Sequence, residues 1–328
     1  MTLPPLFAAL PIIQITPPLF WGMAGVLGLL ILGSIAALAL PILRPGGDHT
    51  NLRQRMASWW VMAALVGAAL VFGWVATLCL FAVISFMALR EFLSLAPLRR
   101  EDRLVILLAY LVIPASYGLL AANRYGIYLV FIPVWAFLVA PFILAVIGQT
   151  RAYLRTTAIF NWGLVACVYN IGFAAYLART PFSQAPQAGG AGLLFFLLLA
   201  TEANDVAQYV WGKLTGRHKI MPKVSPNKTW EGFLGGWATT ALLVWFLGPY
   251  FLPVSGWPLA VIAASLPLAG FAGDVTMSAI KRDLGVKDTS RSIPGHGGVL
   301  DRIDSLTFTA PLYFHLIIFF AFSPLPWP

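Results

Sequence analysis

Between residues 287 and 305 the chain reads KDTSRSIPGHGGVLDRIDS, which places Asp288, Asp301 and Asp304 close together in a chain with only 12 Asp and Glu among 328 residues. Pro294, Gly295, Gly297 and Gly298 do not form regular helix easily. Glycines expose backbone N–H groups, and such a turn ahead of a helix N-terminus is a ready anion site. Asp301 and Asp304 are three residues apart and project together at the start of the next helix. Complementing the helix dipole accounts for one aspartate there. It accounts poorly for a pair beside His296 and Arg302. Paired carboxylates suit Mg²⁺, which keeps waters and substrate phosphates in its shell.

Two further groups lie upstream. In GDVTMSAIKRD (273–283), Asp274, Ser278 and Lys281 fall at i, i+4 and i+7 on one helical stripe. Gly273 thins the helix beside Asp274 and lets a ligand or metal approach the backbone. Taken singly, Lys281 and Arg282 are better explained as anchors at the cytoplasmic surface. In TEANDVAQYVWGK, Glu202 and Asp205 share a helix face inside an apolar stretch. An ionised carboxylate there is costly and faces a cavity or a partner. A structural pair with a lysine or arginine is the plainer alternative. The next loop, KVSPNKTWEG, adds Lys223, Ser225, Lys228 and Thr229, whose hydroxyl and ammonium groups suit phosphate oxygens.

These groups must be positioned by membrane helices. The hydrophobic fraction is 59% and charged residues make up 10%, with a mean hydropathy of +0.82. Soluble domains carry about a quarter charged residues, so the chain reads as an all-α, polytopic integral membrane protein. A crossing takes roughly 20 apolar residues. That criterion predicts nine to ten transmembrane helices, near 19–43, 58–73, 75–95, 104–122, 126–147, 157–178, 191–212, 232–252, 256–280 and 305–323. The second is short and runs almost into the third. The runs are too long and continuous for alternating barrel strands.

The net charge of +9 follows topology. Nineteen of the 21 Lys and Arg fall in alternate connections, at 44–57, 90–103, 148–156, 213–231 and 281–304; the others are Arg124 and Arg179. Cytoplasmic loops carry such an excess, which puts both termini outside. A nucleic-acid binder would gather its basic residues on one face with stacking aromatics, so nucleic acid is not expected as a partner. The N-terminal MTLPPLFAALPIIQITPPLF lacks the basic start of a signal peptide, and its prolines argue against one regular helix; an interfacial segment is expected. Cys79 and Cys167 fall in apolar spans without metal-ligand spacing and read as two buried thiols. Eight of the 12 acidic residues lie beyond residue 200. A transmembrane scaffold is therefore expected over 1–190 and a catalytic transmembrane region over 191–328.

Carboxylates around Asp205, Asp274 and Asp301/Asp304, with cationic side chains and an apolar wall, suit phosphoryl or nucleotidyl transfer to a lipid. An ion carrier would use intramembrane carboxylates without needing the Gly-His-Gly-Gly turn. A CDP-alcohol phosphotransferase would show a D-G-x2-A-R run, which the chain lacks.

Residues 278–305 closely resemble the signature of the phosphatidate cytidylyltransferase (CDP-diacylglycerol synthase) family, at Ser278, Lys281, Arg282, Lys287, Asp288, Pro294, His296, Gly297, Gly298, Asp301, Arg302 and Asp304. The ND at 204–205 and SPNKTWEG at 225–232 resemble its other shared segments. The resemblance covers roughly the last 130 residues of the chain; the first half matches only in being hydrophobic and multispanning. It implies a helical integral membrane fold and the reaction CTP + phosphatidate → CDP-diacylglycerol + pyrophosphate with Mg²⁺, a second metal ion being left open. Asp274, Asp301 and Asp304 would be metal carboxylates, with Asp205 close by. Lys281, Arg282, Lys287, Asp288, His296 and Arg302 would form the catalytic set. Ser225, Lys228, Thr229, Gly297 and Gly298 would bind the nucleotide. The implied partners are CTP, phosphatidic acid and membrane lipids, a homodimer being compatible. The implied location is a bacterial cytoplasmic (inner) membrane, with the active site at its cytoplasmic face. Gln208 stands where the family more often has a small residue, which would alter lipid preference if position 208 lines the lipid cleft.

Overall fold

The computed structural model describes residues 15–43, 50–179 and 188–322. Most of the N-terminal segment expected at the interface, and Arg44 of the first basic loop, lie outside the described residues. Ten helices are long and apolar enough to cross a membrane: α1 (Pro17–Ile42), α2 (Thr50–Val71), α3 (Trp74–Leu95), α4 (Arg100–Ala121), α5 (Tyr125–Val146), α6 (Tyr153–Arg179), α7 (Gly189–Thr215), α8 (Trp230–Phe251), α9 (Trp257–Asp283) and α10 (Leu300–Ala321). A bilayer leaves no water for backbone N–H and C=O groups, so continuous apolar runs become helices. The polytopic all-α expectation holds, in its ten-span form. The second span is not short: α2 begins at Thr50 and runs 22 residues, because its first two turns are polar helix that a hydropathy criterion passes over. α5 and α6 each include a π-helical segment, at Phe131–Ala136 and Val165–Tyr169.

α6 lies at the centre of the bundle, with 67% of its most apolar window buried, whereas α1 and α2 lie at the periphery with 11% and 17%. Small residues bring the functional helices together, as expected where lipid tails are as apolar as leucine. α7 and α8 approach at Gly232 and Gly236, against which Gln208 packs. α9 and α10 meet at Gly273, where an added Cβ would lie 2.5 Å from the Asp304 carbonyl oxygen and 3.1 Å from Ser305 Cα. This corrects the reading of Gly273: the space is taken by the backbone of α10, not left for a ligand. Beneath the contact, Asn204 of α7 donates to Pro267 O of α9 (3.3 Å) and accepts from Thr240 of α8 (3.4 Å). Thr201 and Thr309 hydrogen-bond at 3.0 Å.

All five basic connections gather at one end. Arg55 Nε donates to Gly295 O (3.1 Å), Glu91 reaches the 289–300 loop, Thr156 bonds Asp102, and Arg282 Nε donates to Val224 O. Arg179 sits at the opposite end, donating to Leu120 O. A two-stranded antiparallel hairpin, β1 (Lys219–Met221) and β2 (Ser225–Thr229), joins α7 to α8 at the basic end. Glu231 holds it, accepting from the amides of Arg217 (3.0 Å) and His218 (3.2 Å). Both cysteines are free thiols. Cys167 is buried, but Cys79 faces outward, since an apolar span has a lipid-facing side that hydropathy does not distinguish from its core.

Gly273→Ala is expected to force α9 and α10 apart at a cost of about 1–3 kcal/mol. Its unfolding temperature in detergent should fall clearly below that of Gly126→Ala, whose added methyl meets nothing within 4 Å. Equal values for the two variants would show that the helices do not meet at Gly273.

Candidate active site

The site is built where α7, α9, α10 and the end of β2 converge. The helical stripe on α9 forms as its spacing predicts: Ser278 Oγ donates to Asp274 Oδ1 at 3.2 Å. Asp274 Oδ2 pairs with Lys228 Nζ at 2.5 Å. That ammonium lies 4.8 Å from the centroid of the Phe271 ring and 3.5 Å from Gln208 Oε1. From α7, Asp205 accepts from Ser305 Oγ at 2.9 Å, which ties α7 to the start of α10. Asp304 accepts from the Ser305 amide (2.8 Å) and stands 3.9 Å from Lys281 Nζ. Asp205, Asp274 and Asp304 act on one another electrostatically, and Glu202 with them. Arg302 acts on Glu202, and its own Nε is buried without a hydrogen-bond partner.

Asp301 has a different environment. Its Oδ1 accepts from Lys281 Nζ (2.8 Å). Its Oδ2 accepts from the Thr289 amide (2.8 Å), the Thr289 hydroxyl (2.9 Å) and the Gly298 amide (2.9 Å). Oδ1 is thus engaged by α9 and Oδ2 by the loop.

The glycine-rich turn differs from expectation in one respect. Its exposed amides were expected to face a phosphate. The anions they hold are the protein's own: Gly298 N goes to Asp301, while Val299 N and Leu300 N go to Glu91 (3.0 and 2.9 Å). Glu91 also accepts from Thr289 (3.0 Å), Ser290 (2.8 Å) and Ser292 (2.7 Å). Gly298 lets these groups close in, since a Cβ there would collide with the Thr289 hydroxyl and the Glu91 carboxylate. Gly297 contributes its carbonyl, which accepts from Ile293 N at 2.8 Å.

Other expected residues are placed as follows. Thr229 caps α8, its hydroxyl accepting from Gly232 N at 3.1 Å. Ser225 begins β2, paired with Met221. Arg282 braces the hairpin through Val224 O and its own loop through Val286 O (2.9 Å). Lys287 and Asp288 are exposed at the rim. His296 packs edge-on to Trp59 of α2, with ring centroids 5.9 Å apart and a buried, unpartnered Nδ1. Burial, with the charges of Arg302 and Arg55, pushes the His296 imidazole below its ordinary range. It is therefore a neutral group at pH 7, not a third cation.

Sequence reasoning missed Glu91, Thr289, Ser305 and the α2 residues Arg55 and Ser58; Ser58 donates to Pro294 O at 2.8 Å. For Glu91 a signal was present. It is a carboxylate within an apolar helix, near that helix's C-terminus, where the dipole disfavours an anion.

The donor set fits a hard divalent cation: carboxylate oxygens of Asp205, Asp274 and Asp304, with little else. Glu202, Asp205, Asp274, Asp301 and Asp304 stand against Lys228, Lys281 and Arg302. Among the described residues, however, no three His, Cys, Asp or Glu side chains converge closely enough to hold an ion as they stand. Lys228 and Lys281 supply the compensating charge.

Fold and site together define a polytopic membrane protein with a half-buried carboxylate–lysine junction at its basic end. The profile of the cytidylyltransferase family matches residues 53–320, and the chain belongs to that family. It is 40% identical to uncharacterized protein YnbB of Escherichia coli (strain K12) over 274 residues, 84% of this chain and 89% of that protein. It is 41% identical to a phosphatidate cytidylyltransferase of Staphylococcus saprophyticus over 131 residues, 39% of this chain and 50% of that enzyme. The corresponding enzyme of Mycobacterium leprae is 40% identical over 134 residues, 41% of this chain and 42% of the enzyme. The chain thus spans half or less of these two enzymes.

A base whose folded-state affinity for protons is lowered contributes stability at neutral pH that is lost as the pH falls below its unfolded value, about 6.5. The difference in unfolding temperature between wild type and His296→Gln should accordingly shrink from pH 7.5 to 5.5. A pH-independent difference would place His296 in an ordinary aqueous environment.

Proposed function

We propose that the chain transfers CMP from CTP to phosphatidic acid, giving CDP-diacylglycerol and pyrophosphate. The observation that carries this reading is the junction of Asp205, Asp274 and Asp304 with Lys228 and Lys281, set between an apolar bundle and a basic rim in a chain of the cytidylyltransferase family. The names of the partial-length relatives support phosphatidate as the acceptor. The Lys and Arg excess at the basic end supports a cytoplasmic site, where CTP is available, in a bacterial inner membrane.

An oxygen of the lipid phosphate attacks the α-phosphorus of CTP. The bond from that phosphorus to the bridging oxygen breaks, and pyrophosphate leaves toward water. The lipid phosphate is already anionic at neutral pH, so no general base is needed; the obstacle is bringing two anions together. Lys228 exchanges Asp274 for a CTP phosphate, and the hydroxyls of Ser225 and Thr229 lie on the same strand. Arg302 offers an unpartnered buried donor, and neutral His296 a hydrogen bond. Lys287 and Arg282 at the exposed rim meet the departing pyrophosphate. Lys281 and Asp301, locked to each other, hold the start of α10 and so the position of Asp304. Mg²⁺ held by Asp205, Asp274 and Asp304 would neutralise phosphate charge and polarise the phosphoryl oxygens. Catalysis is then positioning and electrostatics.

Purified protein given radiolabelled CTP, phosphatidic acid and Mg²⁺ is expected to put label into the lipid phase. Asp304→Asn and EDTA should each abolish it, with the variant still folded. No label in lipid from well-folded wild type would refute the reading. Lys228→Ala should raise the KM for CTP by about tenfold, the size of one lost charge-assisted hydrogen bond. An unchanged KM would remove Lys228 from the nucleotide site.

A further inference from the structure

Glu91 lies on α3, in the half of the chain outside the resemblance, yet its carboxylate is at the centre of the signature loop. It is 8% exposed and accepts five hydrogen bonds from that loop, reached across 198–209 residues of sequence. Oε1 takes Ser290 Oγ, Ser292 Oγ and Val299 N; Oε2 takes Thr289 Oγ1 and Leu300 N. The residue that caps α10, Val299, and its first residue, Leu300, thus give their amides to a side chain from another helix. A carboxylate is the side chain that fits here, since both oxygens accept and neither donates.

The contact reaches the reacting groups through a short series of bonds. Thr289 Oγ1 stands 3.0 Å from Glu91 Oε2 and 2.9 Å from Asp301 Oδ2, with one proton to give. Asp301 in turn holds Lys281, which stands 3.9 Å from Asp304. We infer that Glu91 is a positioning residue: it fixes the 289–300 loop and the first turn of α10, and through Asp301 and Lys281 it sets the place of Asp304. It touches neither nucleotide nor lipid. The inference rests on the proposed transfer reaction for its catalytic consequence, and on the hydrogen bonds alone for the anchoring.

The test compares wild type, Glu91→Gln and the double variant Ser290→Ala/Ser292→Ala, full-length in detergent, by two readings. Glu91→Gln keeps the shape but turns one acceptor into a donor facing donors. Amide hydrogen exchange should rise within residues 288–303 and stay unchanged in the other helices. The kcat for CMP transfer should fall by about tenfold or more, the usual cost of losing a supporting partner, with the KM for CTP within about twofold. The serine double variant removes two of the five donors and should show the same pattern, more weakly. Unchanged exchange in 288–303, exchange raised throughout the bundle, or a raised KM at constant kcat would overturn the inference. If Glu91→Gln fails to fold, the serine variant decides it by the same readings. If wild type transfers no CMP, the proposed reaction falls, and the exchange data alone judge the anchor.

Discussion

A carboxylate among apolar helices persists only when its oxygens are partnered, and the basic end of this bundle is organised by that requirement. Glu91 gathers the 289–300 loop, Asp301 closes the same loop onto Lys281, Asp274 takes Lys228 from the hairpin, and Glu231 takes the hairpin's first amides. Four acidic side chains thus tie down two connecting segments, the 289–300 loop and the hairpin. The loops of a soluble enzyme rest on a hydrophobic core. Here the helices bury the core within the membrane, and the loops are tied down by partnered carboxylates.

Much of this was legible in the sequence. Continuous apolar runs gave all ten helices, because a bilayer permits few alternatives. The distribution of Lys and Arg grouped the five loops that the structure brings to one end. The i, i+4, i+7 spacing of Asp274, Ser278 and Lys281 placed them on one stripe, as observed. What escaped was the identity of the groups across each gap. Gly273 and Gly298 announce a close approach, but a glycine does not name its visitor: α10 backbone in one case, Glu91 and Thr289 in the other. The turn's amides were legible as donors, yet nothing local reveals that their acceptor lies some two hundred residues away. Hydropathy likewise placed Cys79 in an apolar span without telling which side it faces.

The comparisons divide the chain unevenly. The family profile starts at residue 53, within α2, whose Arg55 and Ser58 hold the backbone of residues 294–295. The phosphatidate cytidylyltransferases match over only about two fifths of the chain. The family likeness therefore extends over helices whose sequences carry little obvious chemistry, and α2 and α3 show why such helices matter: their side chains are the outer walls of the loop.

The anchoring of that loop bears on modularity. A C-terminal region that closed on itself could be exchanged between scaffolds as a cassette. This one does not, since the α10 N-terminus takes its cap from α3. A chimera joined anywhere between α3 and α9 inherits its loop from one parent and its cap from the other, and works only if both supply the same fit. Position 298 is a tight part of that fit: a methyl there meets the Glu91 carboxylate from α3 as well as the Thr289 hydroxyl of the loop. Divergence at either site is thereby yoked to the other, across some two hundred residues of sequence.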